Sequence, residues 1–330
     1  AIMSTVKEIA KQTGYSLSTV SIVLRGQGDA RSISKKTQVK IIKAAKDMGY
    51  TPNISARRLR KSEEKHTVVV YWPTDYRAGL VFRFLQGIYG YIERVSSKYE
   101  VIIYPYAPNT LKNFATAMNL SSYSAAVVCA ASNEDLEYLS NSRFVTPIVL
   151  YNRHLENYPC VMMDSYAMGQ NAAEIMLDAG VDRSVVVSSE QGYVFSQKRV
   201  EGFTDAYTAK GGRCRSIPAN PRDPESVCTA LRSIDYSLAD RIGVFCTTDH
   251  LVPGVYKYFQ DAKHSIKDRV ELVTIGTQDN EIFSTLFSDI HTINIPIEEM
   301  GRCCIELIDR SINCGGVEPK VYSVNYRAVK

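Results

Sequence analysis

The eight cysteines of this 330-residue chain include no C-x-x-C pair, and adjacent Cys303 and Cys304 are poorly spaced for chelation. Neither a zinc site nor a disulfide framework is expected. Several thiols sit inside apolar runs, Cys129 in AAVVCAA and Cys246 in IGVFCTT. They read as buried and reduced, whereas Cys314, beside two glycines, reads as exposed. No window of about twenty apolar residues is present, so no membrane span is expected. No charged-then-apolar leader is seen, and the expected location is the cytoplasm. Histidines are few and dispersed, at 66, 154, 250, 264 and 291. G-x-x-x-x-G-K-[ST], G-x-S-x-G, H-E-x-x-H and G-x-G-x-x-G are all missing. His250 beside Asp249 is the best general base available, but no nucleophile lies near it in sequence. The chain therefore reads as a non-enzyme with no cofactor.

Charge is present but unevenly spread. Residues 1–62 hold 13 Lys and Arg against 3 Asp and Glu, a net of +10, while residues 63–330 carry a net of −6. A small basic head on an acidic body is the footprint of a nucleic-acid reader, because phosphate attracts the one and repels the other.

Residues 5–25, TVKEIAKQTGYSLSTVSIVLR, read as two short amphipathic helices joined by a tight turn. Thr5 and Glu8 have the spacing of a capping box. Val6, Ile9 and Ala10 form one apolar stripe. Gly14 sits where the turn needs a residue tolerant of positive φ. Ser16 caps the second helix, whose Val20, Val23 and Leu24 face the first. A third helical pattern follows at about 34–48. This is helix-turn-helix construction, in which the second helix enters the DNA major groove. Pro52 ends the third helix, and NISARRLR (53–60) can form one further helix too short to stand alone in water.

Beyond Lys65 short β-forming runs alternate with helical stretches. TVVVYW (67–72), VIIYPY (101–106), AAVVCAA (125–131) and PIVLY (147–151) make one series, with a helix around LKNFATAMNL after the second run. A second series starts near Cys160 with VMM and a helix from about Gly169. SVVVS (184–188), a helix across QKRVEGFTDAYTAKG, RCRSI, RIGVFCT (241–247), another helix and VELVTIG (270–276) complete it. Strand–helix alternation implies parallel sheets with helices on both faces, and two series imply two lobes. Ligands in such folds bind beyond the carboxyl ends of the strands, hence between facing lobes.

These residues resemble the LacI/GalR family of bacterial transcription regulators. The likeness runs in one order along the chain through TVKEIAKQTGYSLSTVS, SISKKT, MGYTPN, NISARRLR, RVEGFTDAY, FCTTDHLVPG, VTIGTQD and IPIEEMG. It implies an all-α helix-turn-helix head over 1–51 and a hinge helix and linker over 52–64. It also implies an α/β periplasmic-binding-protein-like core of two doubly wound parallel-sheet lobes. The first lobe is expected at 65–163 with about 290–320, the second at 164–289 with about 321–330. It further implies a homodimer on a pseudo-palindromic operator in double-stranded DNA, with the hinge helices paired in the central minor groove. DNA contacts are expected from Thr5, Ser16, Leu17, Ser18, Thr19, Ser21, Ile22 and Arg25 of the head, and from Asn53, Ala56, Arg57 and Leu59 of the hinge. Leu59 aligns with the family's wedge residue, which unstacks the central base step. Arg57, Arg58 and Arg60 would offset that cost at phosphates, each contact steepening the salt dependence by about one log unit.

The resemblance places a small-molecule effector, a sugar or sugar derivative, between the lobes. Arg199 aligns with a pocket arginine and Asp249 with a pocket aspartate. Arg offers a rigid fork of donors, and Asp accepts from neighbouring hydroxyls. Asp164, Tyr193, Arg153, Gln278 and the loop residues Tyr76 and Arg77 are further candidates, and Arg77 and Arg153 leave room for an acidic or phosphorylated sugar. Trp72, the sole tryptophan, can stack on a sugar face or fill the core. The alternatives are a nucleobase, a partner protein as the signal, or a solute-binding receptor.

Ile22 stands where the family usually has Arg, and Arg25 where it has Asn. Arg can bond guanine bidentately, whereas Ile can pack only against a thymine methyl or another apolar edge. Ile22→Arg is expected to change base preference at one symmetric pair of operator positions, measured by selection from random duplexes. An unchanged motif would refute the assignment.

Overall fold

The computed structural model describes residues 6–24, 31–48, 65–75, 77–95, 99–114, 123–190, 192–234, 241–262, 269–277 and 290–329. Thr5, Arg25, Pro52, Asn53, Ala56, Arg57, Leu59, Tyr76 and Gln278 lie outside them, as does most of the helix expected around LKNFATAMNL. The chain divides into two units at residues 64 and 65.

The first unit contains helices α1 (Val6–Thr13), α2 (Leu17–Leu24) and α3 (Lys35–Asp47). Gly14 turns the chain at φ +75°. Ser16 Oγ accepts from the backbone N–H of Thr19 at 3.1 Å, the expected cap of α2. Ser34 does the same for Thr37 at 3.2 Å and starts α3. Ile9, Val20, Val23, Ile41 and Ala45 close one small core, so each helix contributes its apolar stripe to a common centre.

The second unit holds two six-stranded sheets. The first takes β1 (His66–Pro73), β2 (Tyr99–Tyr106), β3 (Ala125–Cys129), β4 (Ile148–Tyr151) and β5 (Cys160–Met162), with helices α4 (Val81–Arg94) and α5 (Asn133–Ser140). The second takes β6 (Arg183–Ser189), β7 (Arg213–Ala219), β8 (Ile242–Cys246), β9 (Val270–Gly276) and β10 (Ile290–Asn294). Its helices are α6 (Ser165–Asp178), α7 (Val194–Ala209), α8 (Pro224–Arg232) and α9 (Val252–Asp261). The chain then runs through α10 (Ile297–Asn313), β11 (Val321–Ser323) and β12 (Arg327–Val329). Pairing is parallel throughout except for β12, which runs antiparallel to β10. The order β11-β5-β4-β3-β1-β2 is mirrored by β12-β10-β9-β8-β6-β7.

The lobe boundaries differ from the sequence expectation. β10 pairs with β9 and so belongs to the second lobe, not the first. β11 pairs with β5 and belongs to the first, not the second. The chain thus crosses between lobes near 163–164, 295–296 and 324–326. Short strands at a crossover carry too little apolar pattern to announce their sheet. Helices α5, α8 and α10 were not read from the sequence. α10 buries Ile297, Met300, Cys304, Ile305 and Ile308, a helical stripe that was there to be found.

Each lobe is cinched where two helix backbones touch. In the first, a Cβ on Gly87 of α4 would lie 1.8 Å from the Glu298 carbonyl oxygen, and one on Gly301 of α10 would lie 2.2 Å from that of Phe84. In the second, Gly169 of α6 and Gly202 of α7 stand equally close to the carbonyls of Arg199 and Tyr166. Only glycine fits these crossings. A Cβ at Gly90, on the same helix as Gly87, would meet nothing within 4 Å. Gly87→Ala is therefore expected to destabilise by about 1–3 kcal/mol through overpacking. Gly90→Ala should stabilise by about 0.5–1 kcal/mol through reduced unfolded-state entropy. Urea denaturation of the two variants checks the opposite signs.

Candidate functional site

In the first unit, the N-terminal end of α2 is open. Leu17 is 55% exposed, Ser18 is exposed, and Thr19, Ser21 and Ile22 are half-buried. The hydroxyls of Ser18 and Thr19 each lie 2.8 Å from that of Ser16, so the three form one polar rim around Leu17. Val39 and Ile42 of α3 are also exposed, and neither was singled out in the sequence.

In the second unit a cavity of about 560 Å³, measured to its open mouth, lies between the carboxyl ends of the two sheets. The first lobe lines it with Trp72, Arg77, Leu80, Ala130, Tyr151, Asn152 and Met163. The second lines it with Phe195, Arg199, Thr248, Asp249, His250, Gly276, Thr277 and Ile295. Most of these follow a strand end directly, as parallel pairing requires. The walls are largely apolar and the polar groups gather on the second lobe.

Arg199 is buried on α7 and donates from Nη1 to the Thr247 carbonyl at 2.6 Å. Its guanidinium lies 5.0 Å from the Phe195 ring. Asp249 Oδ2 accepts from the backbone N–H of Thr277 at 2.9 Å. Its Oδ1 lies 2.9 Å from His250 Nδ1 and 3.3 Å from Thr248 Oγ1. A Cβ at Gly276 would sit 2.2 Å from Asp249 Oδ2, so that glycine makes room for the carboxylate. Burial pushes the Cys129 and Cys246 thiols well up, which leaves both inert within the sheets behind the cavity.

Arg77 lines the cavity, but its guanidinium is held by Asp75. Nε donates to both carboxylate oxygens at 3.0 Å, and Nη2 pairs with Oδ2. Arg153 stands behind the wall and donates to the carbonyls of Ala130, Ala131 and Asn152. Ala130 and Asn152 have φ of +47° and +54°, so this arginine braces two left-handed residues at the cavity rim. Tyr193 lies beside both arginines, outside the lining. Asp164 is elsewhere: it is exposed and caps α6, accepting from the backbone N–H of Ala167 at 2.9 Å. Trp72 is buried against Phe84 and Tyr151, lines the cavity, and donates from Nε1 to the Arg77 carbonyl at 3.2 Å. Of the two readings given for it, the core reading holds, and the residue also lines the cavity. Leu80, Met163 and Ile295 gave no sequence signal beyond being apolar.

A model of bacterial regulatory proteins of the lacI family matches residues 5–53, and a periplasmic binding protein-like domain matches residues 173–330. The head of the chain is a lacI-family regulatory domain. The whole chain is 23% identical over 312 residues to the probable HTH-type transcriptional repressor ExuR of Bacillus subtilis, spanning 90% of this chain and 88% of that protein. It is also 23% identical over 320 residues to the ribose operon repressor of Haemophilus influenzae, spanning 93% and 91%. A LacI family transcription regulator from Clostridium acetobutylicum superposes with a TM-score of 0.71 at 25% identity, over 81% of this chain and 99% of that one. Against these LacI-family relatives, the two-lobed body and the three-helix head are both accounted for.

Two features of the surface bear on partners of this chain. The acidic side chains of α10 are engaged internally: Glu298 with Arg83, Glu299 and Glu306 with Arg302, Asp309 with Tyr91 and Tyr99. Among the described residues no helix is long and apolar enough to cross a membrane.

Asp75 gives the site an acid dependence. Burial alone would raise its carboxyl, but the hydrogen bonds and charge of Arg77 outweigh it and hold the group below its ordinary 3.8. The folded state then takes up this proton less readily than the unfolded one. The resulting stabilisation is full above pH 3.8 and fades as pH falls through the lowered folded value. Asp75→Asn is expected to cost about 1–3 kcal/mol at neutral pH, since it strands a buried guanidinium. Thermal melts of both proteins should converge in acid. A gap that does not narrow as the pH falls below 3.8 would refute the pairing as its cause.

Proposed function

We propose that this chain is a sequence-specific DNA-binding transcriptional repressor whose operator affinity is set by a small polyhydroxylated effector, a sugar or sugar derivative, held between the lobes. The observation that carries this reading is the pairing of an open-ended helix-turn-helix with a cavity whose second-lobe wall presents Arg199, Asp249, His250 and Thr277. Leu17, Ser18 and Ile22 read the major groove, with Ser16, Thr19 and Ser21 supporting phosphate contacts. Thr5, Arg25 and the hinge residues Asn53, Ala56, Arg57 and Leu59 complete the operator contacts.

Within the cavity, Asp249 accepts hydroxyls and Arg199 donates to a ring or carboxyl oxygen. Trp72 and Phe195 supply flat apolar walls of the kind a pyranose or furanose face packs against. The name of the ribose operon repressor supports a sugar over a nucleobase. The internally paired acids of α10 weigh against a basic partner protein docking there. The chain works by binding and not by turnover, in the cytoplasm where its operator is.

A homodimer is supported by apolar side chains exposed on the first lobe. Phe82 and Tyr89 of α4 are 68% and 46% exposed, and Ile103 and Tyr104 of the edge strand β2 are 40% and 38% exposed. The corresponding edge strand of the second sheet, β7, carries Arg213, Arg215 and Pro218 instead, the composition that blunts an edge. Sugar binding rotates one lobe against the other, and a coupling of about 1–3 kcal/mol is the usual size of such effects.

The test starts with operator selection from random duplexes, followed by a thermal-shift screen of free pentoses, hexoses, uronic acids and purine bases. A symmetric motif and stabilisation by a sugar are expected. Arg199→Ala and Asp249→Asn should then each remove that sugar's effect on operator affinity. A full response retained in both would count against the cavity as the effector site, and stabilisation by purines alone would overturn the sugar reading.

A further inference from the structure

Two arginines of the first lobe lie close to aromatic rings of the second. The N–H edges of Arg77 go to Asp75, and those of Arg153 go to the carbonyls of Ala130, Ala131 and Asn152. Guanidinium donors lie in the plane of the group, so its two faces remain for aromatic contact. That contact comes from Tyr193 and Phe195, which stack at 5.4 Å with 15° between their planes. The Arg77 guanidinium lies 4.5 Å from the Tyr193 ring. That of Arg153 lies 5.4 Å from Tyr193 and 5.2 Å from Phe195. All three distances fall within the roughly 6 Å over which cation–π attraction acts. Most edge bonds stay within one lobe, whereas the ring contacts cross the cleft, joined there by the Tyr193 hydroxyl, which lies 3.5 Å from Arg77 Nη2 and donates to Asp75 Oδ2 at 3.4 Å. Rotation of the lobes must break the second kind and can spare the first.

We propose that Arg77 and Arg153 are positioning residues that clamp the Tyr193–Phe195 pair and hold the lobes near their closed relation before any effector binds, instead of contacting effector themselves. The clamp goes beyond the repressor reading and rests on it only for its consequence at the operator. Two features join the clamp to the cavity. The Trp72 indole is bonded to the Arg77 carbonyl, so one cavity wall and one arm of the clamp move together. Arg153 braces Ala130 and Asn152, so the other arm sets the rim where two strands end. An effector entering the cavity meets a population already biased toward closure, and its leverage is its preference between the clamped and released forms.

Trp72 is the only tryptophan in the chain, so its fluorescence reports the cavity alone. The experiment is acrylamide quenching of the full-length protein, without effector or operator, in wild type, Tyr193→Phe and Tyr193→Leu. Phenylalanine keeps the π face that the guanidiniums grip, and leucine fills much of the volume without one. Tyr193→Phe loses only the hydroxyl's bonds to Asp75 and Arg77, so the expected result is a quenching constant about threefold or more higher in Tyr193→Leu than in Tyr193→Phe as the released form gains population. Equal quenching in Tyr193→Phe and Tyr193→Leu, with cooperative melting intact, overturns the clamp. Should Tyr193→Leu fail to melt cooperatively, Phe195→Leu carries the same test with the same two outcomes. The readout involves neither sugar nor DNA. A negative result here leaves the repressor reading standing, and a failed operator selection leaves the clamp result standing.

Discussion

Parallel strand pairing is the constraint on which the rest of this body depends. It sends every carboxyl end of a sheet to the same edge, so the loops that follow β1, β3, β4 and β5 meet at one rim, and those after β6, β8, β9 and β10 meet at another. The cavity is the space between these rims. No residue in it has to be brought from afar by an unusual turn. The close helix crossings at Gly87–Gly301 and Gly169–Gly202 then fix each lobe as a unit, and the second of them seats the backbone of Arg199 directly. Side chains at the rim inherit their precision from contacts made a layer below.

Much of this was legible from local pattern. The strands of both series are continuous β-branched runs of the type that only a sheet covered on both faces requires, and the structure returns them as β1, β3, β4, β6, β8 and β9. The head was equally plain, because its caps, turn glycine and apolar stripes all lie within a few residues of one another. What stayed hidden was long-range. A three-residue strand such as β11 has no period to read, and only its partner Cys160–Met162 says which sheet it joins. Nothing near Gly169 in the sequence announces that Arg199 will press on it.

Two arginines near the cavity show the same limit in chemical terms. Arg77 and Arg153 look like ligand groups because a cation near a cleft loop invites that reading. Their donors are instead turned to Asp75 and to three carbonyls, partners set by φ angles at Ala130 and Asn152 that no residue type dictates. Arg199 and Asp249 do line the cavity, Arg199 from the second turn of α7 and Asp249 from the start of the helical turn after β8. Asp164 shares the motif and not the geometry: its carboxylate is spent as a helix cap.

The last crossings of the chain have a consequence for how the molecule is made. α10 packs on α4 and completes the first lobe, β11 extends the first sheet, and β12 closes the edge of the second. All three are supplied by residues 297–329. During synthesis the three-helix head has its whole core available once residue 48 has emerged. Neither lobe can be finished until residues 297–329 have left the ribosome. A molecule cut short before α10 would carry a complete DNA reader on a body lacking parts of both sheets, so the order of the chain itself delays the sensing half until the end.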